Sequence, residues 1–181
     1  MRYVRSALIV LAALAATAGA LRIAAGEDGW RRHRPDLPPA TDRAYVEECG
    51  ACHMAYPPAL LTAAEWARIM DRLDAHFGDD ASLDPATAAR VRAYLEAHAG
   101  DRRPGVRARR RPAPATADGL PRITTTRYFL RKHDEVRRRW VVENPEVGSF
   151  ANCPACHTRA AQGLFDEDDV RIPGHGRWED D

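Results

Sequence analysis

Methionine is scarce in this chain of 181 residues, with three copies, and histidine is limited to seven. Aromatic residues are 7% and charged residues 29%, ordinary values for a soluble protein. The formal net charge of +1 argues neither for nor against nucleic acid, and none is expected as a partner. There is no Ser-His-Asp set, no Walker loop and no dinucleotide-binding glycine motif, so the common hydrolase, NTPase and nicotinamide signatures are missing. The longest apolar run, Ala7 to Ala18, falls short of the roughly 20 residues of a comfortable membrane span. Cysteine is narrowly confined along the chain. The four copies fall in two pentapeptides, Cys49-Gly50-Ala51-Cys52-His53 and Cys153-Pro154-Ala155-Cys156-His157.

Each pentapeptide reads C-x-x-C-H, the attachment signature of a c-type haem. The layout has a chemical reason. Two thiols a short loop apart add across the two vinyl groups of one porphyrin, and the following histidine lies under the iron as proximal ligand. Two other readings fit cysteine pairs. Zinc pairs are usually about 15–20 residues apart, whereas these are roughly a hundred apart. Two disulfides would suit an exported protein. Both readings leave His53 and His157 without a task, so two covalently bound haem c groups are expected, attached through Cys49, Cys52, Cys153 and Cys156.

The N-terminus supplies the matching compartment. Arg2 and Arg5 precede the apolar run, and Ala18-Gly19-Ala20 ends it with small residues, the pattern of a secretory signal peptide over residues 1–20. An uncleaved anchor is the alternative, and only then is a membrane contact expected. Either way the rest of the chain lies outside the bacterial cytoplasm, where haem is attached, so a periplasmic protein is expected. Without Arg2 and Arg5 the 27 basic residues become 25, against 26 acidic ones. Two haems bring four propionates, so the holoprotein is expected to be moderately acidic.

Composition divides the remainder. Residues 21–41 read as a flexible lead-in, with Pro35, Pro38 and Pro39 breaking helices. Residues 42–100 form a first haem lobe. In it Thr41 or Asp42 caps a short helix leading into the first motif. A capping box, Thr62 with Glu65, opens a helix predicted over 62–77, and Asp84-Pro85 opens another that ends near His98 and Gly100. Residues 101–121, with six arginines from Arg102 to Arg111 and several prolines, read as a solvated linker, or less simply as a patch for an acidic partner. Residues 122–173 form a second haem lobe. There Thr124 to Thr126 cap a helix containing Phe129, His133 and Val136, and Asn152 caps the second motif, whose helix ends at Gly163. Residues 174–181 read as an acidic, loose tail. Asp166 to Asp169 is a solvated acidic run, with a calcium loop as a minor alternative. The fold class expected is mainly α, helices wrapped around two haems, with little or no sheet.

Each iron needs a sixth ligand or an open position. Met1 leaves with the signal peptide, Met54 adjoins the proximal His53 and cannot cross to the opposite face, and Met70 reads as core. Histidine is therefore favoured. His76 lies 23 residues after His53, and His133 lies 24 before His157. Both spacings allow the chain to return across a haem, although a lone histidine beside an apolar face is more often simply core. His98 is a weaker distal candidate, and His33 and His175, in proline- and glycine-rich surroundings, are weaker still. The local pairing puts His76 on the first haem and His133 on the second, with a swapped pairing as the alternative.

Several stretches, taken in order, resemble the dihaem cytochromes c of the DHC type. They are Cys49 to His53 running into Met54-Ala55-Tyr56-Pro57-Pro58, Glu65-Trp66 with His76-Phe77-Gly78, Arg122-Ile123-Thr124, Lys132-His133, Ala151-Asn152 running into Cys153 to His157, Ala160 with Gly163, and Val170 to Pro173. The resemblance covers about residues 45–173. It implies a periplasmic electron carrier with two low-spin haems, exchanging electrons with other redox proteins such as cytochromes or membrane-bound electron-transfer complexes. It also implies that His76 and His133 are the distal ligands. With both axial positions closed, no enzymatic activity is expected. The alternatives are a small haem enzyme of peroxidase or nitrogen-oxide reductase type with one open iron, a haem-based gas sensor, and a cytochrome subunit of a membrane respiratory complex.

Overall fold

Local capping chemistry starts the helices where the sequence predicts. In the computed structural model, which describes residues 35–102 and 116–178, helix α1 (Arg43–Cys49) begins at Asp42, whose carboxylate accepts the Tyr45 N–H. Helix α2 (Ala63–Met70) begins with the full Thr62/Glu65 capping box. Helix α3 (Pro85–Ala97) begins at Asp84, which accepts from Ala86 and Thr87. Helix α4 (Arg127–Lys132) begins at Thr126, whose hydroxyl accepts from Phe129. Helix α5 (Cys153–Cys156) is the second motif itself. The signal-peptide reading, most of the lead-in with His33, the arginine-rich part of the linker and the last three residues lie outside the described residues.

The main core joins α1, α2 and α3. Tyr45, Trp66, Ile69, Met70, Val91 and Leu95 are buried together, and burying such side chains contributes about 1.5–3 kcal/mol each. Their polar handles are satisfied: the Tyr45 hydroxyl donates to the Tyr56 carbonyl and the Trp66 indole N–H to Pro58. Met70 lies in this core, as its position on the Trp66 face predicts.

Three predicted boundaries move, each for a backbone reason. The helix predicted to run to Phe77 stops at Met70. Arg72 leaves helical dihedrals, and the Leu73 carbonyl is taken by the Ala81 N–H instead of an intrahelical donor. His133 and Val136 fall beyond α4, with His133 as its C-cap. Asn152 does not cap α5 with its side chain, which donates instead to the Val147 carbonyl. That helix ends at Cys156, and Gly163 closes a separate turn, Ala160–Gln162.

The ends of the described chain are pinned. Leu37 is buried, its N–H donates to Gly163, and the Asp36 carboxylate accepts the Phe165 N–H. The flexible lead-in therefore does not extend to Thr41. The described part of the tail, residues 174–178, is not loose: strands β1 (Arg171–Ile172) and β2 (Gly176–Arg177) pair antiparallel, with Arg171 opposite Arg177. This ribbon is the sheet content of the described residues, so the mainly helical expectation holds. Among the same residues no helix is long and apolar enough to cross a membrane.

Candidate haem-ligand sites

The first motif hangs from the C-terminus of α1, which ends at Cys49 with Gly50 as its cap. His53 follows in open chain and is exposed. Its Nδ1 is 2.8 Å from the Met54 carbonyl, and its ring stacks on Tyr56 at 4.8 Å between centroids. Since a carbonyl only accepts, Nδ1 carries the proton and Nε2 keeps a free lone pair, the arrangement metal-ligating histidines use.

His76 reaches the same place by a tight turn. The Asp79 N–H donates to the His76 carbonyl, and Phe77 and Gly78 both have positive φ, at 55° and 109°. Positive φ at both central positions is the mark of a type I′ turn, and a bulky residue there is strained. The strained turn brings the His76 ring to 6.2 Å from the His53 ring, the two planes 21° apart. Phe77 packs edge-on against His76, and the Arg122 guanidinium lies 4.3 Å over the Phe77 ring.

The second pair is built differently. His133 faces Phe129 one helical turn back, with ring centroids 3.9 Å apart and planes within 11°. Its Nδ1 is 3.0 Å from the Phe129 carbonyl, which again leaves Nε2 free. The His157 ring lies 6.1 Å from it at 77°. His133, His157, Cys153 and Cys156 all line one cavity of about 440 Å³, walled also by Phe129 and Phe150.

These distances test whether a haem iron fits. A metal bound end-on between two imidazoles, about 2 Å from each nitrogen, holds the ring centroids roughly 6 Å apart. Both pairs meet that spacing. The ionisation states agree. Burial keeps His76 and His133 below the ordinary imidazole range and takes His157 down to about 4. All three are then neutral near pH 7, the form that ligates metal. The Nδ1 atoms of His76 and His157 are buried without a hydrogen-bond partner. The four cysteines are unpaired, with burial holding Cys49 and Cys153 thiols up at about 11. Among the described residues no three His, Cys, Asp or Glu side chains cluster as metal ligands, so the two cysteine pairs do not assemble a zinc site.

The other described histidines, His98 and His175, lie elsewhere. His98 is exposed, with Nδ1 on the Tyr94 carbonyl of its own helix and its ring 4.4 Å from Tyr94. His175 occupies the turn of the ribbon, against Trp140. Sequence reasoning missed the aromatic partners of the paired rings, Tyr56 and Phe129. Their offsets were available: Phe129 precedes His133 by four residues, the spacing at which helical side chains meet.

Comparison with known proteins agrees with this geometry. The family model for dihaem cytochrome c matches residues 45–165. The solved diheme cytochrome c of Shewanella baltica is 47% identical, covering 76% of this chain and 97% of that one, with a TM-score of 0.63. A diheme cytochrome c from Rhodobacter sphaeroides is 44% identical over 71% of this chain and 100% of that one, with a TM-score of 0.61. No curated protein matches. The chain belongs to the dihaem cytochrome c family, with two covalently bound c-type haems and electron transfer as its general role.

Proposed function

We propose that this protein is a periplasmic single-electron carrier whose two haem irons are closed by histidine on both faces. Cys49 and Cys52 hold the first haem and Cys153 and Cys156 the second. His53 and His76 are the axial pair of the first, His157 and His133 of the second. When bound, each haem supplies a one-electron iron couple. The chain's own contribution is to exclude other chemistry. With an imidazole held at each end, O₂, peroxide and nitrite find no free coordination position, and electrons pass without a bound substrate.

The single observation behind this reading is the spacing of the two imidazole pairs, whose ring centroids lie 6.2 and 6.1 Å apart. Export is supported by the pattern of residues 1–20 and by the need to attach haem outside the cytoplasm. The partners proposed are other redox proteins. Residues 122–142 carry seven arginine or lysine side chains against Asp134 and Glu135. Arg131 and Lys132 line the second cavity beside Asp36, Asp134, Glu135 and Glu167, and the run Arg137 to Arg139 is exposed next in the chain, so an acidic partner face suits that arginine run.

The ligand variants test the assignment. His76→Met and His133→Met are each expected to convert one haem, and only one, to a histidine–methionine or five-coordinate spectrum. If both haems stay bis-histidine in either variant, the axial assignment is wrong.

A further inference from the structure

The two histidine pairs share a separation and differ in orientation. The planes of His53 and His76 are 21° apart, nearly parallel, while those of His133 and His157 are crossed at 77°. The neighbours of each ring account for the difference. His53 lies along Tyr56, whose plane is within 24° of its own, and is tied through Nδ1 to Met54. His133 is held twice by one residue: its face lies on the Phe129 ring and its Nδ1 bonds the Phe129 carbonyl. Phe150 stands perpendicular to both Phe129 and His133, at 89° to each, and blocks sideways drift. Phe129 is itself fixed, buried and with its N–H capped by Thr126. Across the site, His157 is braced edge-on by Phe165 at 64°.

We propose that Phe129 is a positioning residue that makes the second haem electronically unlike the first, by clamping His133 across the plane of His157. The proposal rests on the axial assignment above. An imidazole donates π density at right angles to its ring, into one of the two iron d orbitals of π symmetry. Two parallel rings act on the same orbital and split the pair. Two crossed rings act on both and leave them nearly equal. In low-spin ferric iron the unpaired electron occupies this pair, so the splitting sets the anisotropy of its paramagnetic signal. Orientation of a ligand by its neighbours is a recognised means of tuning a metal, and here one aromatic side chain performs it for one of two otherwise similar sites.

The test is low-temperature electron paramagnetic resonance of the ferric holoprotein, wild type and Phe129→Leu. Wild type is expected to give two low-spin signals of equal intensity, one rhombic and one of the single, low-field, large-anisotropy type. Phe129→Leu keeps the backbone carbonyl but removes the stacked face, so the large-anisotropy signal is expected to give way to a second rhombic one while the first is unchanged. Two rhombic signals in the wild type would overturn the proposal and leave bis-histidine ligation standing, as would a large-anisotropy signal that survives the substitution. A high-spin signal in the wild type would overturn both. Should the variant fail to fold, the wild-type spectrum still tests the proposal, since two rhombic signals overturn it.

Discussion

At the scale of single residues, the functional claim depends less on the cysteines than on what surrounds the imidazoles. Tyr56 shows how much one side chain carries: its ring backs His53, and its hydroxyl donates to the Ala151 carbonyl at 2.8 Å, just before the second motif. Tyr56→Phe keeps the stack and loses that bond. It is expected to lower stability by about 1 kcal/mol in chemical denaturation, with unchanged optical spectra at both haems. Gly163 is the other sensitive point. Its φ is +76°, and a Cβ there would run into the Leu37 carbonyl. Gly163→Ala is expected to cost more than about 1 kcal/mol, read as a lower thermal midpoint. Neither role is visible in the sequence, because both partners lie far away along the chain. The attachment residues, by contrast, are legible from spacing alone.

At the scale of elements, starts were legible and ends were not. Asp42, Thr62, Asp84 and Thr126 all cap the helices their positions predict, because an N-cap bond spans only two or three residues. The end of α2 depends on the Leu73 carbonyl meeting Ala81, and apolar spacing over Leu73 and Phe77 gives no sign of that. The consequence is functional, since His76 and His133 both sit in turns just after a helix or short helical turn, where the backbone can aim them. Thr126→Ala removes the cap that fixes Phe129 and is expected to cost about 1 kcal/mol in denaturation. The Asp42 cap adds a pH dependence. The Tyr45 N–H, followed by the Arg90 guanidinium, holds its carboxyl below the ordinary value of 3.8. Its stabilisation is present above that value and is lost as pH falls through the lowered one. Thermal unfolding followed across this acid range is expected to flatten in Asp42→Asn, which keeps a capping oxygen but cannot titrate.

At the scale of the molecule, the two halves expected from the sequence are tied together outside the linker. Leu37 bonds Gly163, Asp36 bonds Phe165, Tyr56 bonds Ala151 and Arg122 covers Phe77. Residues before the first haem motif thus help to fix the second site, which a division into consecutive lobes does not suggest. Charge is also uneven along the chain, with seven arginine or lysine residues in 122–142, of which Arg131 and Lys132 line the second cavity beside Asp36, Asp134, Glu135 and Glu167. Arg138→Glu combined with Arg139→Glu is expected to slow oxidation of the reduced protein by anionic ferricyanide at low ionic strength. At high ionic strength the difference is expected to vanish, because salt screens exposed charges.

The closed state of both irons is the claim on which the rest depends. Near-infrared magnetic circular dichroism of the ferric protein reads the axial ligands of each haem from the energy of its charge-transfer band. Two equivalents of low-spin haem with bis-histidine bands are predicted. A high-spin band, or a histidine–methionine band from either haem, would contradict the account.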